Sequence, residues 1–462
     1  MGKVGNRGPR DPLQGRRSRA EQKLEGKMGE TLSSQPVSTR LQRIAEQAKA
    51  RPEMVFTTLA HLIDVELLRE AYQRTRKDSS PGVDGVTAKE YAVSLEANLR
   101  NLHERLRKQQ YYAPPVKRIY LEKEDGSKRP IGMPVFEGKI AERAVVMLLE
   151  AVYEQDFYDC SYGFRPGRSP HQALTKLRNQ CAWGNIKVVV DADVSGCFDN
   201  IPKGQLLAVI RQRVNDGGIL RLIGKWLNAG VLDGEELFYP EKGTPQGGVV
   251  SPMLANIYLH EVLDVWFERE VRPRMKGQCF LIRFADDFVI SCELESDACR
   301  IMAVLPKRFG RYGLTIHPTK TKLVKFSRPK LHDDGTGNGT FDFLGFTHYW
   351  TRGRKGTWVV KRKTAAKRLR RAGKRVWQWC QYHRHKPMQE QCKTLSSKLR
   401  GHYQYYGIRS NYAYLYAYYQ QVQRAWRSWL ARRGGTKRMT RRRFDELLAV
   451  FPLPPPRLVH PI

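Results

Sequence analysis

The 462-residue sequence lacks any apolar run near the roughly 20 residues that a membrane-spanning helix needs, and we expect neither a signal peptide nor a membrane partner. Acidic residues are also scarce, with 46 Asp and Glu against 81 Lys and Arg, which leaves a formal net charge of +35. So large an excess predicts a polyanionic partner, nucleic acid above all. A hydrophobic content of 41% still indicates a folded chain, and the length suggests two or three domains.

The cysteines are few and do not occur in closely spaced pairs. None of the eight cysteines forms a Cys-x-x-Cys motif, which argues against a zinc ribbon and a disulfide framework. Cys380, His383, His385 and Cys392 lie loosely together, but they fit polar and core positions of a helical segment better than a metal site. This cysteine usage predicts a reducing location, the bacterial cytoplasm.

The chain divides into four stretches by composition. Residues 1–50 are basic and poor in large apolar side chains, which predicts a flexible extension that ends in a helix. Over 51–350 strand and helix patterns interleave without regular βαβ repeats, which predicts an α+β fold. Residues 351–443 are mostly helical in pattern and contain 27 Lys and Arg with one acid, Glu390. Residues 444–462 predict a proline-rich irregular tail.

Two adjacent acids interrupt an apolar run. In "LIRFADDFVISC", Asp286 and Asp287 sit between two strand-like segments, where like charges repel each other unless a cation neutralises them. Carboxylate oxygens favour hard divalent cations, and Mg²⁺ suits phosphate substrates. Asp193, after the buried run "VVV", is the favoured third ligand, with Asp191 and Asp199 as competitors. The simpler alternative is a solvated turn.

Three further motifs are individually weak. "GTPQGG" is a glycine-rich loop before a helix, which allows close approach of a ligand to the backbone. "YGFRPGRSPHQAL" carries Arg165 and Arg168 in a turn suited to phosphate contact, although a solvated basic loop is the simpler interpretation. Lys320 follows a proline turn in "LTIHPTKTKLV", where most lysines are merely solvated.

Together these motifs resemble the reverse transcriptases of bacterial group II introns, which also act as splicing maturases. The ordered blocks are "SSPGVDGVT", "GSKRPIGMPVFEGKIAERAV", "YGFRPGRSPHQAL", "DADVSGCFDNI", "GTPQGGVVSPMLANIYL", "RFADDFVI", "GLTIHPTKTKLV" and "FDFLGF". The resemblance spans about residues 55–443 and implies a right-hand fold, with fingers and palm over 51–350 and a helical thumb, or domain X, over 351–443. No cysteine-pair zinc pattern follows, which resembles the endonuclease-lacking type.

The resemblance implies a two-metal site. Asp193, Asp286 and Asp287, with the backbone carbonyl of Val194, correspond to the ligands of two Mg²⁺ ions, for which Mn²⁺ can substitute. Lys320 corresponds to a proton donor to the leaving pyrophosphate. The expected catalytic residues are therefore the three aspartates and this lysine.

The resemblance also implies a nucleotide pocket. Lys123 and Arg129 would hold the incoming triphosphate, and Gln246 would line the pocket. Phe198 would exclude a ribose 2′-hydroxyl, so that the product is DNA. One departure is Phe284, where the family usually has tyrosine before Ala-Asp-Asp; it keeps the ring, and we expect activity to persist.

Basic residues are expected to contact RNA. The predicted RNA-binding residues are Arg165, Arg168, Lys398 and Arg400. Tyrosines in the same region can stack on unpaired bases. Tyr412, Leu415, Tyr416 and Tyr419 have helical spacing, however, which favours packing in the thumb core.

The expected function is RNA-directed DNA polymerisation combined with binding of the parent intron RNA, which assists splicing and mobility by target-primed reverse transcription. The expected partners are the intron RNA, an RNA template, a DNA primer or target and dNTPs, with the oligomeric state open. The alternatives are a non-catalytic splicing maturase and a related reverse transcriptase recruited to defence or DNA repair.

Overall fold

The structure is a computed structural model that describes residues 36–122, 128–243, 247–330, 332–333, 338–433 and 439–460. Its helices in chain order are α1 (Val37–Ala50), α2 (Val65–Arg74), α3 (Ala88–Val93), α4 (Leu95–Arg107), α5 (Phe136–Tyr153), α6 (Pro170–Trp183), α7 (Cys197–Asn200), α8 (Lys203–Arg211), α9 (Gly217–Leu227), α10 (Ser251–Leu259), α11 (Glu295–Arg311), α12 (Ala366–Tyr382), α13 (Met388–Tyr406), α14 (Tyr412–Leu430) and α15 (Arg441–Val450). Its strands are β1 (Val116–Glu122), β2 (Lys128–Met133), β3 (Val188–Ala192), β4 (Val231–Asp233), β5 (Glu236–Phe238), β6 (Cys279–Phe284), β7 (Asp287–Cys292), β8 (Lys322–Lys325), β9 (Phe341–Phe343), β10 (Phe346–Arg352) and β11 (Trp358–Thr364).

The strands form three sheets. The hairpin sheet has the order β2-β1-β4-β5, the central sheet β6-β7-β3-β8, and the bridging sheet β11-β10-β9. Helices outnumber strands and do not alternate with them as βαβ units, so the α+β prediction is confirmed. Among the described residues, no helix is both long and apolar enough to cross a membrane.

Local sequence sets where the helices begin. Ser169 caps α6: its side chain accepts a hydrogen bond from Gln172 N–H, and the Gln172 side chain accepts one from Ser169 N–H. Pro170 occupies the first turn, where a missing N–H costs nothing. This cap ends the "RPGR" loop sharply and turns the chain back along the central sheet.

The first helix belongs to the folded body. In α1, Ile44 and Ala48 are buried in the main apolar core, and buried Arg40 donates to Asp64 at 2.6 Å. The helix packs mainly against α5. The helix that the sequence predicts at the end of residues 1–50 is therefore present, and it is packed into the main core although it lies in the stretch predicted to be flexible.

The central sheet has two chemically different faces. Val190 pairs with Ile290, and Ala192 with Phe288; these side chains pack with α5, α10 and α11 in one apolar core. Successive side chains of a strand alternate between faces. The intervening residues, Asp191 among them, therefore point to the opposite face.

The bridging sheet crosses the predicted boundary at residue 350. Strand β11 pairs along its whole length with β10, so the C-terminal bundle (α12–α15) starts only at Ala366. The segment "WVVKRKT" alternates as a strand does, but its three basic residues suggested the helical region instead. Removing the chain after Trp350 would therefore break this sheet.

The predicted tail is only partly irregular. Helix α15 occupies Arg441–Val450, and Leu453 is buried in the apolar core of the bundle. Further on, Val459 N–H donates to the Gly407 carbonyl at 2.8 Å. The segment after α15 is irregular as expected, yet it is held against the bundle by these contacts.

Candidate active site

The site is built on the β6–β7 hairpin and the neighbouring strand β3. Valines at 188–190 favour a strand, and they pair with β7 in the register Ala192↔Phe288. One step further along this register, Asp193 stands across from Asp287. Side chains directly opposite in an antiparallel pair have Cβ atoms about 5 Å apart and share one face. The predicted pairing of these two acids is therefore consistent with the strand register.

The turn of the β6–β7 hairpin carries Asp286, the acid next to Asp287. Phe284 pairs with Asp287, which leaves Ala285 and Asp286 as the turn residues. Ala285 has φ of +58°, a left-handed conformation that few non-glycine residues adopt. This tight turn keeps Asp286 beside Asp287, as the sequence pattern predicted.

The two competing acids lie in different places. Asp191 shares the face of Asp193 and pairs with Lys322, whose Nζ lies 3.6 Å from its carboxylate. Burial, with repulsion from Asp342 and Asp193, raises the pKa of Asp191 to about 6 although Lys322 opposes this shift. Asp199 is exposed in α7, beyond the strand end. Asp191 therefore lies close to Asp193, whereas Asp199 lies on α7, beyond the end of β3.

Burial and repulsion from neighbouring acids raise the pKa values of Asp286 and Asp287. Removal from water raises the pKa of Asp286, and Asp193 adds to this while Arg129 opposes it. Part of the Asp287 residue is exposed to solvent, but protein atoms surround its carboxylate on most sides. This environment, with repulsion from Asp286 and Asp193, raises the pKa of Asp287 to about 7 although Arg368 opposes it. The cluster is therefore short of positive charge.

Lys320 meets this cluster directly. Its Nζ lies 3.1 Å from Oδ2 of Asp193, although most of the lysine side chain is exposed. The loop that carries it is tied to the end of β3, because His317 N–H donates to the Asp193 carbonyl at 2.8 Å. The sequence alone left this lysine among many solvated ones, and the structure brings it to the acids.

The backbone of Val194 points towards the hairpin. Ser195 N–H donates to the Thr315 carbonyl, and the corresponding bond on the other side uses the Asp193 carbonyl. In an antiparallel pair, the residue between two such bonds turns its own peptide groups to the other side. The Val194 carbonyl therefore faces the side on which β7 lies.

The donor set fits a hard divalent cation chemically. Three carboxylates and one carbonyl supply only oxygen atoms, the ligands that Mg²⁺ prefers, and the raised pKa values indicate a deficit of positive charge. Across the described ranges, however, no group of three or more His, Cys, Asp and Glu side chains is arranged to hold a metal ion. The carboxylates are thus gathered on one face without forming a closed cage.

Two glycines bring the glycine-rich loop close to both neighbouring elements. A Cβ on Gly243 would lie 2.8 Å from the Asp199 carbonyl oxygen, and a Cβ on Gly247 would lie 2.4 Å from the Gly132 oxygen. Both have positive φ, so no other residue fits these positions without strain. Gly243 is thereby packed against α7, and Gly247 against β2.

A cavity of about 210 Å³ opens beside this loop. Arg118, Gly132, Asp199, Phe238 and Lys242 are among its lining residues. Phe198, predicted to exclude the 2′-hydroxyl, is half-buried on the neighbouring turn α7. Arg129 is exposed on β2, and its charge reaches Asp286. The predicted nucleotide residues Lys123 and Gln246 lie outside the described residues.

The RNA-contact prediction is wrong for Arg165. Its side chain is buried, forms an ion pair with Glu154 at 2.9 Å and donates to the carbonyls of Tyr158 and Ser161. An arginine so fully engaged inside the protein cannot reach a phosphate. The motif "RPGR" gave no sign of this, because the partly buried partner Glu154 lies 11 residues earlier, directly after α5.

The other predicted RNA residues lie nearer the surface. Arg168 is partly exposed and pairs with exposed Asp159, Lys398 lies over the Trp379 ring, and Arg400 is exposed on α13.

The tyrosine stripe divides in two. Leu415 is buried in the bundle core as predicted, whereas Tyr412 and Tyr416 are each about half exposed, at 49% and 48%. Tyr419 lies between these extremes. Two of the three tyrosine rings are therefore open to a ligand.

Two charged residues that the sequence did not single out affect the pKa values of the acid cluster. Asp342 on β9 raises the pKa of Asp191, and Arg368 near the start of α12 lowers that of Asp287. Asp342 alternates with two buried phenylalanines, the pattern of a strand that points an acid away from the core. Arg368 had no comparable signal, because it is one of many basic residues in its helix.

Comparison with known proteins agrees with this arrangement. A family model for reverse transcriptase (RNA-dependent DNA polymerase) matches residues 121–348. The group II intron-encoded protein LtrA of Lactococcus lactis subsp. cremoris is 35% identical over 248 residues, which cover 52% of this chain and 41% of that protein. Protein YkfC of Escherichia coli (strain K12) is 34% identical over 359 residues, 69% of this chain and 90% of the relative.

A more distant relative is nuclear intron maturase 4, mitochondrial, of Arabidopsis thaliana, which is 25% identical over 349 residues, 69% of this chain and 40% of the relative. The chain thus spans about two fifths of LtrA and nine tenths of YkfC. The match to the family model covers β3, β6 and β7, the strands that carry the acid cluster. The chain therefore belongs to the family of group II intron-encoded reverse transcriptases and maturases.

Proposed function

We propose that this protein is an RNA-directed DNA polymerase that also binds its group II intron RNA and assists splicing and mobility by target-primed reverse transcription. The observation that carries the proposal is the register of β3 against β7, which pairs Ala192 with Phe288 and, continued by one residue, would bring Asp193 opposite Asp287. Its substrates are dNTPs, an RNA template and a DNA primer. Family membership supports the same reaction.

The three parts of the fold take the roles of a right hand in this proposal. The hairpin sheet with helices α1–α4 forms the fingers, the central sheet forms the palm, and the C-terminal bundle forms the thumb. Arg371 of α12 donates to the Glu122 carbonyl at the end of β1, so the first and last of these parts are in contact. A duplex is proposed to lie over the acids, between the fingers and the thumb.

Two Mg²⁺ ions, or Mn²⁺ as a substitute, are proposed at Asp193, Asp286, Asp287 and the Val194 carbonyl. When bound there, such ions activate a primer 3′-hydroxyl and neutralise charge on the phosphates. The aspartates must be ionised to serve as ligands, and the raised pKa values mean that cation binding and deprotonation are coupled.

The remaining residues orient substrate and transfer protons. Lys320, whose Nζ lies beside Asp193, would deliver a proton to pyrophosphate as it leaves. Arg129 and Lys123 would neutralise the triphosphate from the fingers side, and Gln246 would line the nucleotide pocket. Phe198 rests on α7 with its ring half-buried, where it excludes a 2′-hydroxyl by its bulk.

The bundle is proposed to hold the intron RNA. The segment 351–443 has 27 basic residues against one acid, and such a surplus exceeds what an ordinary solvated face needs. Lys398 and Arg400 contribute on α13, and exposed tyrosines offer stacking platforms. A bacterial cytoplasmic location is proposed as well, since all eight cysteines are free thiols.

Primer extension on an RNA template with Mg²⁺ tests the proposal. The wild-type protein should synthesise DNA, whereas Asp286→Ala combined with Asp287→Ala should lower the rate by about 1,000-fold or more. The matched control removes another adjacent acid pair, Asp445 and Glu446 of α15, which are exposed and bound to Arg441 and Arg442. Full synthesis by the Asp286/Asp287 variant would refute the catalytic assignment.

The same variant separates the two proposed activities. Intron splicing that persists without the two acids would show that RNA binding alone supports splicing. Wild-type protein that assists splicing but never extends a primer would favour a non-catalytic maturase instead. Neither outcome depends on the choice of template, provided that the intron RNA is used for both assays.

A further inference from the structure

A buried ion pair lies directly behind the hairpin turn that carries the two acids. Arg283 on β6 and Asp264, in the π-helical turns that continue α10, both have fully buried side chains. The guanidinium grips the carboxylate with two hydrogen bonds, Nε to Oδ1 at 2.7 Å and Nη2 to Oδ2 at 2.6 Å. Both residues lie on the side of the hairpin away from the cleft.

The remaining nitrogen of the guanidinium reaches the turn itself. Nη1 of Arg283 donates to the Ala285 carbonyl at 3.1 Å and to Oδ1 of Asn256 at 2.9 Å. Asn256 in turn donates to the Gly163 carbonyl at 2.7 Å. A Cβ on Gly163 would lie 2.3 Å from Ala285 N, so the backbone of the turn is packed tightly from this side too.

The geometry of this network matters more than its charge. A buried ion pair is costly to desolvate, and apolar residues of similar volume often replace one without loss of stability. Apolar residues cannot replace the planar guanidinium of arginine. Its donors have fixed directions, so binding Asp264 with two of them fixes where the remaining nitrogen meets another acceptor. Here that acceptor is the carbonyl of Ala285, the left-handed residue on which the direction of Asp286 depends.

We propose that Arg283, held in place by Asp264, is a positioning residue that sets the Ala285 peptide so that Asp286 and Asp287 face Asp193. This inference rests on the proposed polymerase function. Neither Arg283 nor Asp264 touches the cleft, so they act through the turn and not on substrate.

A volume-preserving double variant tests this role. Arg283→Met with Asp264→Leu removes both buried charges together and should leave a folded protein with unchanged intron-RNA affinity. The turn should lose its fixed angle, so kcat for primer extension should fall about 100-fold while KM for dNTP changes less than about threefold. Mn²⁺ binding to the RNA-free protein should weaken about tenfold, and amide exchange over 284–287 should accelerate.

The chain provides a matched control in Arg213 and Asp156. This pair is also largely buried and has multiple hydrogen bonds, but Arg213 ties the carbonyls of Ala48 and Arg51 to the body, far from the acids. Arg213→Met with Asp156→Leu should alter stability without changing kcat or Mn²⁺ affinity. A general effect of lost buried charge would appear equally in both double variants.

A conservative variant covers the case in which the double variant does not fold. Arg283→Lys keeps the charge beside Asp264 but lacks the fork that reaches Ala285, and kcat should still fall about tenfold. Wild-type kcat and Mn²⁺ affinity in either folded Arg283 variant would overturn the inference. If the wild-type protein itself makes no DNA, the polymerase proposal fails, and Mn²⁺ binding with amide exchange still decides the role of Arg283.

Discussion

In the central sheet, strand register determines where three carboxylates stand, and moving the strand by one residue would turn them to the other face. In the C-terminal bundle, basic residues cover the exposed sides of several helices, and no single position is specified by packing. The acids are few, and burial with repulsion from neighbouring acids raises the pKa values of Asp286 and Asp287, whereas the bases are many and largely solvated. One substitution should therefore disable the first region, while the second should lose function only in proportion to the charge removed.

Arg165, a buried arginine outside the C-terminal bundle, should behave unlike the exposed arginines of the bundle. Arg165→Ala leaves Glu154 without its partner in a mostly buried setting, which should lower the free energy of unfolding by about 3 kcal/mol. Urea unfolding measures this change. RNA affinity of the folded variant should stay at the wild-type value.

Arg168→Ala is the control, since its partner Asp159 is exposed and the pair should contribute less than about 1 kcal/mol. Equal destabilisation by both variants would show that Arg165 has no special structural role.

A buried acid of the body should make stability depend on pH. Burial raises the pKa of Glu142, on α5, to about 7, although Val250 N–H donates to it at 3.1 Å. Because the folded-state pKa exceeds the unfolded value, the wild-type protein should lose stability as pH rises from about 4.5 to 7. Glu142→Gln should abolish that loss and gain about 3 kcal/mol over wild type above pH 7.

Urea unfolding of wild type and Glu142→Gln at several pH values from 5 to 8 measures the difference. Exposed Glu96, paired with Arg69, provides the control, and Glu96→Gln should show no such gain. A constant difference between wild type and Glu142→Gln at all pH values would contradict the raised pKa.

The bundle should lose RNA affinity in steps. Lys367, Lys374 and Arg375 are exposed on α12. Replacing all three with glutamine should lower the slope of log affinity against log salt by about two to three units, since each phosphate contact contributes about 0.7 to 0.9. Intron-RNA binding measured across a salt series provides this slope.

The control removes the same charge from the helix side of the central sheet. Arg274, Lys307 and Arg311 are exposed there, and their replacement with glutamine should leave the slope nearly unchanged. Equal effects from both triple variants would mean that RNA affinity follows net charge alone and not the bundle surface.

The smallest expected effect is the difference in RNA binding between replacing an exposed and replacing a buried tyrosine of α14. Tyr416→Ala should weaken binding of unpaired RNA by about 1 kcal/mol through lost stacking, with stability unchanged. Tyr418, only 4% exposed, should show the reverse, a loss of stability with intact binding by the folded fraction. Binding and thermal unfolding of both variants settle the division.

Sequence reasoning succeeded where one element determines a position. The pattern around Asp286 and Asp287 predicted two strands about a tight turn, and "VVV" predicted the strand that precedes Asp193. Alternating or repeated β-branched residues carry that information locally. The α+β class followed from the same patterns.

It failed where a position depends on distant partners. Arg165 looked like a phosphate ligand because nothing in its own motif identifies Glu154, 11 residues earlier, as its partner, and β11 was hidden by its basic residues. The role of Arg283 was equally hidden, since its partner Asp264 belongs to another element. Tertiary contacts of this kind leave no periodic signal.

The most direct test of the account measures DNA synthesis and intron-RNA affinity on the same preparations of Asp193→Asn and the Lys367, Lys374 and Arg375 triple variant. Asp193→Asn should lose synthesis by about 1,000-fold and keep wild-type RNA affinity within about threefold. The triple variant should bind RNA more weakly, with the largest deficit at low salt, yet extend a saturating primer–template at nearly the wild-type rate. Wild-type synthesis by Asp193→Asn, or equal loss of both activities in both variants, would contradict the division between acid sheet and basic bundle.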